Sequence, residues 1–553
     1  MDSVISGDAK SAKAESQSTP GRMVRSLPMR WLLVCLVGVG CDAGTTGLHH
    51  RRDPGTLVVA QATDVQSLDP VRVTDNESIE IGQLVFEGLV RWKPGTTDIV
   101  PGLATWEVSA DTRKWTFHLR ADVVFHDDTP FDAGAVVFSF ERVIDPKHPA
   151  YLANPVDGGY WRQLLKDVTR VRAVDRSTVE IETSRPYAPL LGELALFPMV
   201  SPAAVTRWGD AFRAHPVGTG PFQLEAWNVG EQVIVGRFDR YWGAKPELER
   251  IVFDVVPDAR QRLIDLESGS VDLAMAILPD EQSFVELHPD LLLHHTPSND
   301  VSYLAFNTQR PPFDDPRIRQ AASYAINKEP IVKLAYQGRA VAADGPLPPS
   351  QWGYHTPKTI YPYDPVKAKQ LVAAAIADKR FDPTRVYRLY APTTPRPYLS
   401  QPERVARFLQ SALEQIGIRT ELVLQPYKDH RAAVEAGEHD LALFGWIGDT
   451  GDPDNFLYVL FSSDNAHAPD AQNIAFFKDP LVDRLLADAQ AAVDEPTRSS
   501  YYGEIQDQIA AAAPWVPIAH SELVVAGRAE LGGVILSPLG HPVYALIRRA
   551  GTK

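Results

Sequence analysis

The sequence predicts a mixed α/β (α+β) fold built as several lobes, and three observations predict it. Apolar runs of strand character alternate with amphipathic helical stretches from Thr56 to the C-terminus. Residues 387–425 read as strand, helix and strand in succession, the unit of a parallel sheet. The 553 residues include 45 Pro and 36 Gly, too many breaks for a helical bundle or a coiled coil.

Taken in order, TLVVAQA is a buried strand, and Asn76 to Leu89 places Ile79, Gly82, Leu84, Val85, Phe86 and Leu89 at helical spacing. KWTFHLR alternates as a half-exposed strand does. Asp132 is the N-cap of AGAVVFSFERVI, which ends in a Pro-containing stop. VRAVDRSTVEIET reads as a hairpin turning at Asp175 and Arg176, and GTGPFQLEAWNVGEQVIVGRF as a second one. GTGP lacks the Gly-Lys-Ser/Thr ending of a phosphate loop and leads into a strand, so it is read as a structural turn. RIVFDVVP is a strand, ARQRLIDLESGSVDLAM a helix with a short return strand, VSYLAFNT a strand, and Asp314 or Asp315 caps DPRIRQAASYAINK. YRLYAP is a strand; a helix begins at Ser400 and stops at Gly417; RTELVLQ and HDLALFGW are strands. DPLVDRLLADAQAAV and TRSSYYGEIQDQIAAAA are amphipathic helices, and WVPIAHSELVVAG returns to strand. No repeat of solenoid period is visible.

At roughly 150 residues per domain the length allows three to four domains, or fewer large ones. Hydrophobic residues make up 44% and charged residues 23%, enough apolar side chain for a large core and no basis for wholesale disorder. With a formal charge of -15 and no Lys/Arg run, nucleic-acid phosphates and anionic lipid are disfavoured as partners. Cys35 and Cys41, the two cysteines, lie near the start, which excludes a disulfide framework or a Cys-based zinc site in the body. WLLVCLVGVG, preceded by Arg22, Arg25 and Arg30, reads as a secretory signal and is too short to span a bilayer, which takes ~20 residues. GVGC resembles a lipoprotein box with Gly38 in place of the usual Leu, so Cys41 is the candidate lipidated residue, with simple secretion as the alternative. The polar residues 1–21 are unlike a signal, so Met23 is a second candidate start beside Met1. DAGTTGLHHRRDPG reads as a tether, and His49 and His50 as solvated linker residues.

Ligands of parallel α/β sheets bind beyond the carboxyl ends of strands. Arg396 follows YRLYAP and precedes the helix at Ser400, a position suited to a carboxylate. Asp449 follows HDLALFGW in a Gly-rich loop and supplies the opposite pole. Should both strands share a sheet, one rim carries a cation and an anion, which matches a free peptide or amino acid. Trp446, Tyr398 and Trp352 are candidates for an apolar wall, with Gly448 beside Asp449. Each charge taken alone is more readily a surface Arg or an Asp-Gly turn residue; it is the pair at equivalent strand ends that points to a site.

Several segments carry a resemblance: SLDP; VPGLATWEVSADTRKWTFHLRADVVFHD; PVGTGPFQLEAW; FDRYWGAKP; YLAFNTQRPPFDDPRIRQAASYAINK; LPPSQWGY; and GWIGDTGDPDNF. From about Leu57 onward the chain resembles the dipeptide, oligopeptide and nickel class of bacterial extracellular solute-binding proteins that serve ABC importers, the dipeptide-binding branch above all. TTPRPYLSQPERVA is similar to the stretch where those proteins hold the peptide carboxylate, and LSPLG to the antimicrobial-peptide-uptake branch. The resemblance implies that Asp449 takes the ligand amine and Arg396 its carboxylate. It implies a fold of the type II periplasmic-binding-protein kind, two lobes with an extra domain and a hinge-closing cleft. The partition it implies is residues 1–40 as N-terminal extension and signal, 41–55 as tether, 56–88, 216–305 and 516–553 as domain I, 89–215 as domain II and 306–515 as domain III, with a hinge near 300–310. The chain lacks cysteines that many dipeptide-binding relatives carry. The expected partners are a short peptide and ABC permease subunits, with no nucleic acid; the expected state is a monomer in the periplasm or cell envelope, anchored through Cys41. No cofactor, resident metal or enzymatic activity is expected.

Two other function classes stand beside this one. A metal-chelate or haem receptor on the same scaffold would use His294, His295, His126 or His430, although neighbours on a strand face opposite ways. A secreted hydrolase finds neither GxSxG nor HExxH in the body. DTGDPDN departs from a calcium loop at Pro453 and in the alternation of its acids.

Overall fold

The computed structural model describes residues 53–73, 75–153 and 158–549, which lie within one compact unit, His50–Lys553. The expectations for the secretory segment, Cys35, Cys41, Met23, His49 and His50 fall outside the described residues. The α/β class expected from the sequence is the observed one: a 12-stranded sheet and two small ones accompany a separate four-stranded sheet, with helices between.

The large sheet has two halves that share one strand. In the first half Thr56–Gln61 runs parallel to Arg250–Val255 and Leu273–Ala274, and the expected hairpin Phe222–Asn228 with Gln232–Arg237 forms its edge. In the second half Val386–Pro392 runs parallel to both Arg419–Gln425 and Leu441–Ile447, and Asp300–Phe306 lies antiparallel to the latter. The shared strand is Trp515–Arg528. Its residues 515–521 pair with Asp300–Phe306 and Ala340–Ala342, and residues 522–528 with Leu291–Pro297 and Leu273–Ala274. The four-stranded sheet combines Ala104–Val108, Lys114–Leu119, Thr178–Thr183 and Val168–Ala173, all antiparallel. In Lys114–Leu119 the alternation expected of a half-exposed strand puts Trp115, Phe117 and Leu119 into that sheet's own core.

Two helix starts follow the caps expected of them, and two expected helix ends shift. Asp132 accepts from the Ala135 N–H at 3.2 Å and Asp315 from that of Arg317 at 2.9 Å, so Asp315 is the cap. The helix expected to start at Ser400 begins at Pro402 instead, where proline's fixed φ and missing N–H suit a first turn. The Ser400 hydroxyl donates to Ala335 O at 3.2 Å and caps nothing. The helix expected over Asn76 to Leu89 ends at Val85, because residues 218–220 dock on its last turn. Gly220 N–H donates to Val85 O at 2.9 Å, and a Cβ at Gly218 or Gly220 would stand 2.1 or 2.3 Å from a carbonyl of that turn. The GTGP glycines are therefore there for backbone approach.

Candidate functional site: a cavity with two opposite charges

Val386–Pro392 and Leu441–Ile447 are adjacent and parallel, so the loops after them leave from one edge. Arg396 and Asp449, on those loops, line a single cavity of about 460 Å3, within the ~300–1,000 Å3 usual for ligand sites. The facing wall comes from the other half of the sheet: Gln61 at the end of Thr56–Gln61, Glu80 and Gln83 of the helix Asn76–Val85, Gln282, and Leu523 and Val524 of the shared strand.

Asp449 is half-buried, and its carboxylate accepts from the Tyr160 hydroxyl at 2.9 Å. Burial pushes its pKa up to about 6, with the Tyr160 hydrogen bond pulling it back down; no cationic side chain among the described residues contributes. The loop is held from behind, since Asn455 Oδ1 accepts both from Asp449 N–H at 3.1 Å and from Trp446 Nε1 at 3.0 Å. The other two loop acids are satisfied by protein. Asp452 takes both nitrogens of Arg498, at 2.8 and 2.7 Å, and Asp454 takes Gln490 at 2.9 Å. Asp454's pKa is nonetheless pushed up to about 7 by burial and by Asp452.

Arg396, also half-buried, sits on a short turn closed by its own N–H to Leu399 O at 3.1 Å. Its guanidinium lies 4.3 Å over the Tyr427 ring, and its Nε is buried with no protein hydrogen-bond partner. Gln61 is 1% exposed, and neither atom of its side-chain amide has a protein partner. A buried amide left open beside an enclosed space is a group a ligand can satisfy.

The structure places the other four sequence candidates behind this surface. Ile447 lines the cavity, so on an alternating strand Trp446 points away from it, to Asn455. Tyr398 is 4% exposed and lies against Gly445 in the core. Trp352 donates to Gly451 O at 3.1 Å and packs over Arg498. Gly448 N–H donates to Asn299 O at 2.7 Å, and a side chain there would run into Phe456. These residues brace the Asp449 loop, while Tyr160, Tyr427 and Gln61, which sequence reasoning missed, face the charged pair or the cavity. Tyr160 carries no local signal, because the short helix Gly159–Leu164 lies far away in sequence.

The histidines weighed as ligands are dispersed. His126 Nε2 bonds Gly220 O at 3.0 Å, His430 Nε2 bonds Leu443 O at 3.1 Å, and His295 pairs with Glu522 at 3.1 Å. His294 lies on the same strand as His295, beside Gly527. Among the described residues no group of three or more His, Cys, Asp or Glu has metal-site geometry, and no helix is long and apolar enough to cross a membrane.

Comparison with known proteins gives consistent relatives. The family described as bacterial extracellular solute-binding proteins, family 5 (middle), matches residues 98–468. The dipeptide-binding protein of Escherichia coli K12 is 33% identical over 505 residues, covering 88% of this chain and 93% of its own. Heme-binding protein A of Haemophilus influenzae is 33% identical over 509 residues, covering 88% and 91%. Among solved structures, an ABC transporter-associated periplasmic binding protein of Helicobacter pylori in complex with the peptide STSA superposes with a TM-score of 0.76 at 31% identity, covering 90% of this chain and 98% of that one.

Proposed function

The chain belongs to the bacterial extracellular solute-binding proteins of family 5, and from that premise we propose that it is the binding component of an ABC importer, taking short peptides, dipeptides first, between Asp449 and Arg396. The observation that carries this reading is that two opposite charges, neither ion-paired to protein among the described residues, line one cavity. The peptide ammonium would sit on Asp449 and the carboxylate on Arg396, with Gln61 bonding the amide between them. Charge-assisted hydrogen bonds are worth roughly 1.5–3 kcal/mol each, so two anchored ends supply much of the ~8 kcal/mol of micromolar binding.

Closure is supported by contacts that join the four-stranded-sheet region to the Asp449 loop and to the end of the helix Pro480–Ala491. Trp92 Nε1 donates to Thr450 O at 3.1 Å, Thr112 Oγ1 to Ala491 O at 3.0 Å, and Tyr160 to Asp449 itself. In this reading residues 56–88, 216–305 and 516–553 form one domain, 89–215 a second and 306–515 a third. The chain crosses between sheet halves at 297–300 and inside Trp515–Arg528, near Ser521, so the hinge belongs there, just before the expected 300–310, and the domain edges at 305 and 516 shift to these crossings. Bound peptide favours the closed state by its differential affinity, and the closed form is what a permease would receive. The protein would act outside the cytoplasm as a monomer, tethered through a lipidated Cys41.

Calorimetry with Ala-Ala, N-acetyl-Ala-Ala and Ala-Ala-amide tests the two-pole site. Heat with the free dipeptide that disappears with either cap is expected; binding indifferent to both caps overturns the assignment.

A further inference from the structure

We propose that the amine end of the ligand opens onto a second, apolar chamber, kept empty by Gly82, which selects a bulky apolar side chain on the ligand's first residue. This inference rests on the assignment of the ligand amine to Asp449. A second cavity of about 230 Å3 adjoins the first, and the two share Ile79, Gln83, Tyr160, Leu196 and His541 as walls. Tyr160 fixes the direction. Its hydroxyl donates to Asp449 at 2.9 Å, so an ammonium on that carboxylate places the first α-carbon beside the wall common to both spaces.

The chamber is lined chiefly by apolar side chains, among them Val73, Phe86, Trp161, Pro198 and Val543. The wall also carries Glu87, Arg91 and Lys93. Glu87 is already occupied by Trp242, Thr219 and Tyr241 at 2.8, 2.9 and 2.9 Å, and the Arg91 guanidinium lies 5.4 Å over the Trp242 ring. The space itself traces to the helix Asn76–Val85. Ile79, Gly82 and Gln83, at i, i+3 and i+4, face the cavity, while Ile81, Leu84 and Val85 enter the core; Phe86, just past the helix end, belongs to that core and also borders the chamber. A Cβ built on Gly82 meets nothing within 4 Å, although the residue is buried. Glycine within a helix is less stable than alanine, so this position gives up helix stability and leaves room.

The test compares Phe-Ala, Ala-Phe and Ala-Ala by calorimetry on the native protein and on Gly82→Leu, with Gly82→Ala as a milder filling. Native protein should bind Phe-Ala about tenfold or more tighter than the other two, the scale expected for burying an aromatic side chain. Gly82→Leu should erase that advantage and keep Ala-Ala within about threefold of native, because an alanine side chain is too short to use the chamber that the leucine fills. Gly82→Ala should reduce the advantage part-way, and it serves alone if the leucine variant fails to melt cooperatively. Equal affinity for all three peptides, a preference for Ala-Phe, or a Phe-Ala advantage that survives both substitutions overturns the chamber while leaving the two-pole site intact. If no dipeptide binds the native protein, the peptide reading falls and the chamber with it.

Discussion

Asp449 and Asp452 stand three residues apart in one Gly-rich loop and meet opposite fates. Asp452 is buried and neutralised by Arg498, with the Tyr502 hydroxyl beside it. Asp449 faces a cavity with a tyrosine hydroxyl as partner and a pKa held at about 6. The first carboxylate is paired within the fold, and the second meets a tyrosine hydroxyl in place of a counter-charge. A buried charge is tolerated when paired, and an unpaired one marks a site where binding gains more than folding loses.

The largest effect should come from breaking the paired member. Arg498→Met leaves Asp452 buried without a counter-charge and should cost ~3–5 kcal/mol in denaturant unfolding, with partial recovery when Asp452→Asn is added. Asp449→Asn should do the reverse, leaving ligand-free stability undiminished while weakening dipeptide binding by more than ~1.5 kcal/mol, above tenfold.

Next in size is the pH response of affinity. An ammonium needs the ionised carboxylate, so affinity should be level from about pH 6 to the ~7.7–8 at which an α-amino group loses its proton, and should decline below about 6 by up to about tenfold per unit, a lower break that Asp449→Asn lacks. The sign for stability is opposite. A folded pKa of about 6, above an unfolded value of ~3.9, means that the native state binds the proton more tightly, so this group's contribution is present at low pH and is lost as pH rises through about 6. The smallest effect belongs to Tyr160→Phe, which removes the hydrogen bond that lowers Asp449's pKa and should move the affinity break to higher pH.

Strands and helices were largely legible because their causes are local. The strand-helix-strand run through Val386–Gln425, the Asp132 cap and the hairpin at 168–183 all follow from periodicity and turn chemistry. Ser400 failed as a helix start because a serine oxygen has several partners within reach, and Ala335 O is one of them. The two charges were legible as residues at strand ends. The expected aromatic wall was not, since which face a loop or strand presents depends on its neighbours: Trp446, Tyr398 and Trp352 went to brace the loop. Gly82 read as one member of a helical stripe, and nothing within the helix distinguishes a glycine that faces packing from one that faces a void.

The sequence by itself determined the α/β class, the secondary-structure order and the charge types at two strand ends, because backbone propensity and hydrophobic period act over a few residues. Tertiary structure alone decided that those charges line one cavity, that Arg498 pairs with Asp452 rather than Asp449, and that the Tyr160 hydroxyl meets Asp449. Those outcomes depend on groups far apart in the chain, whose encounter is set by how sheets and helices pack.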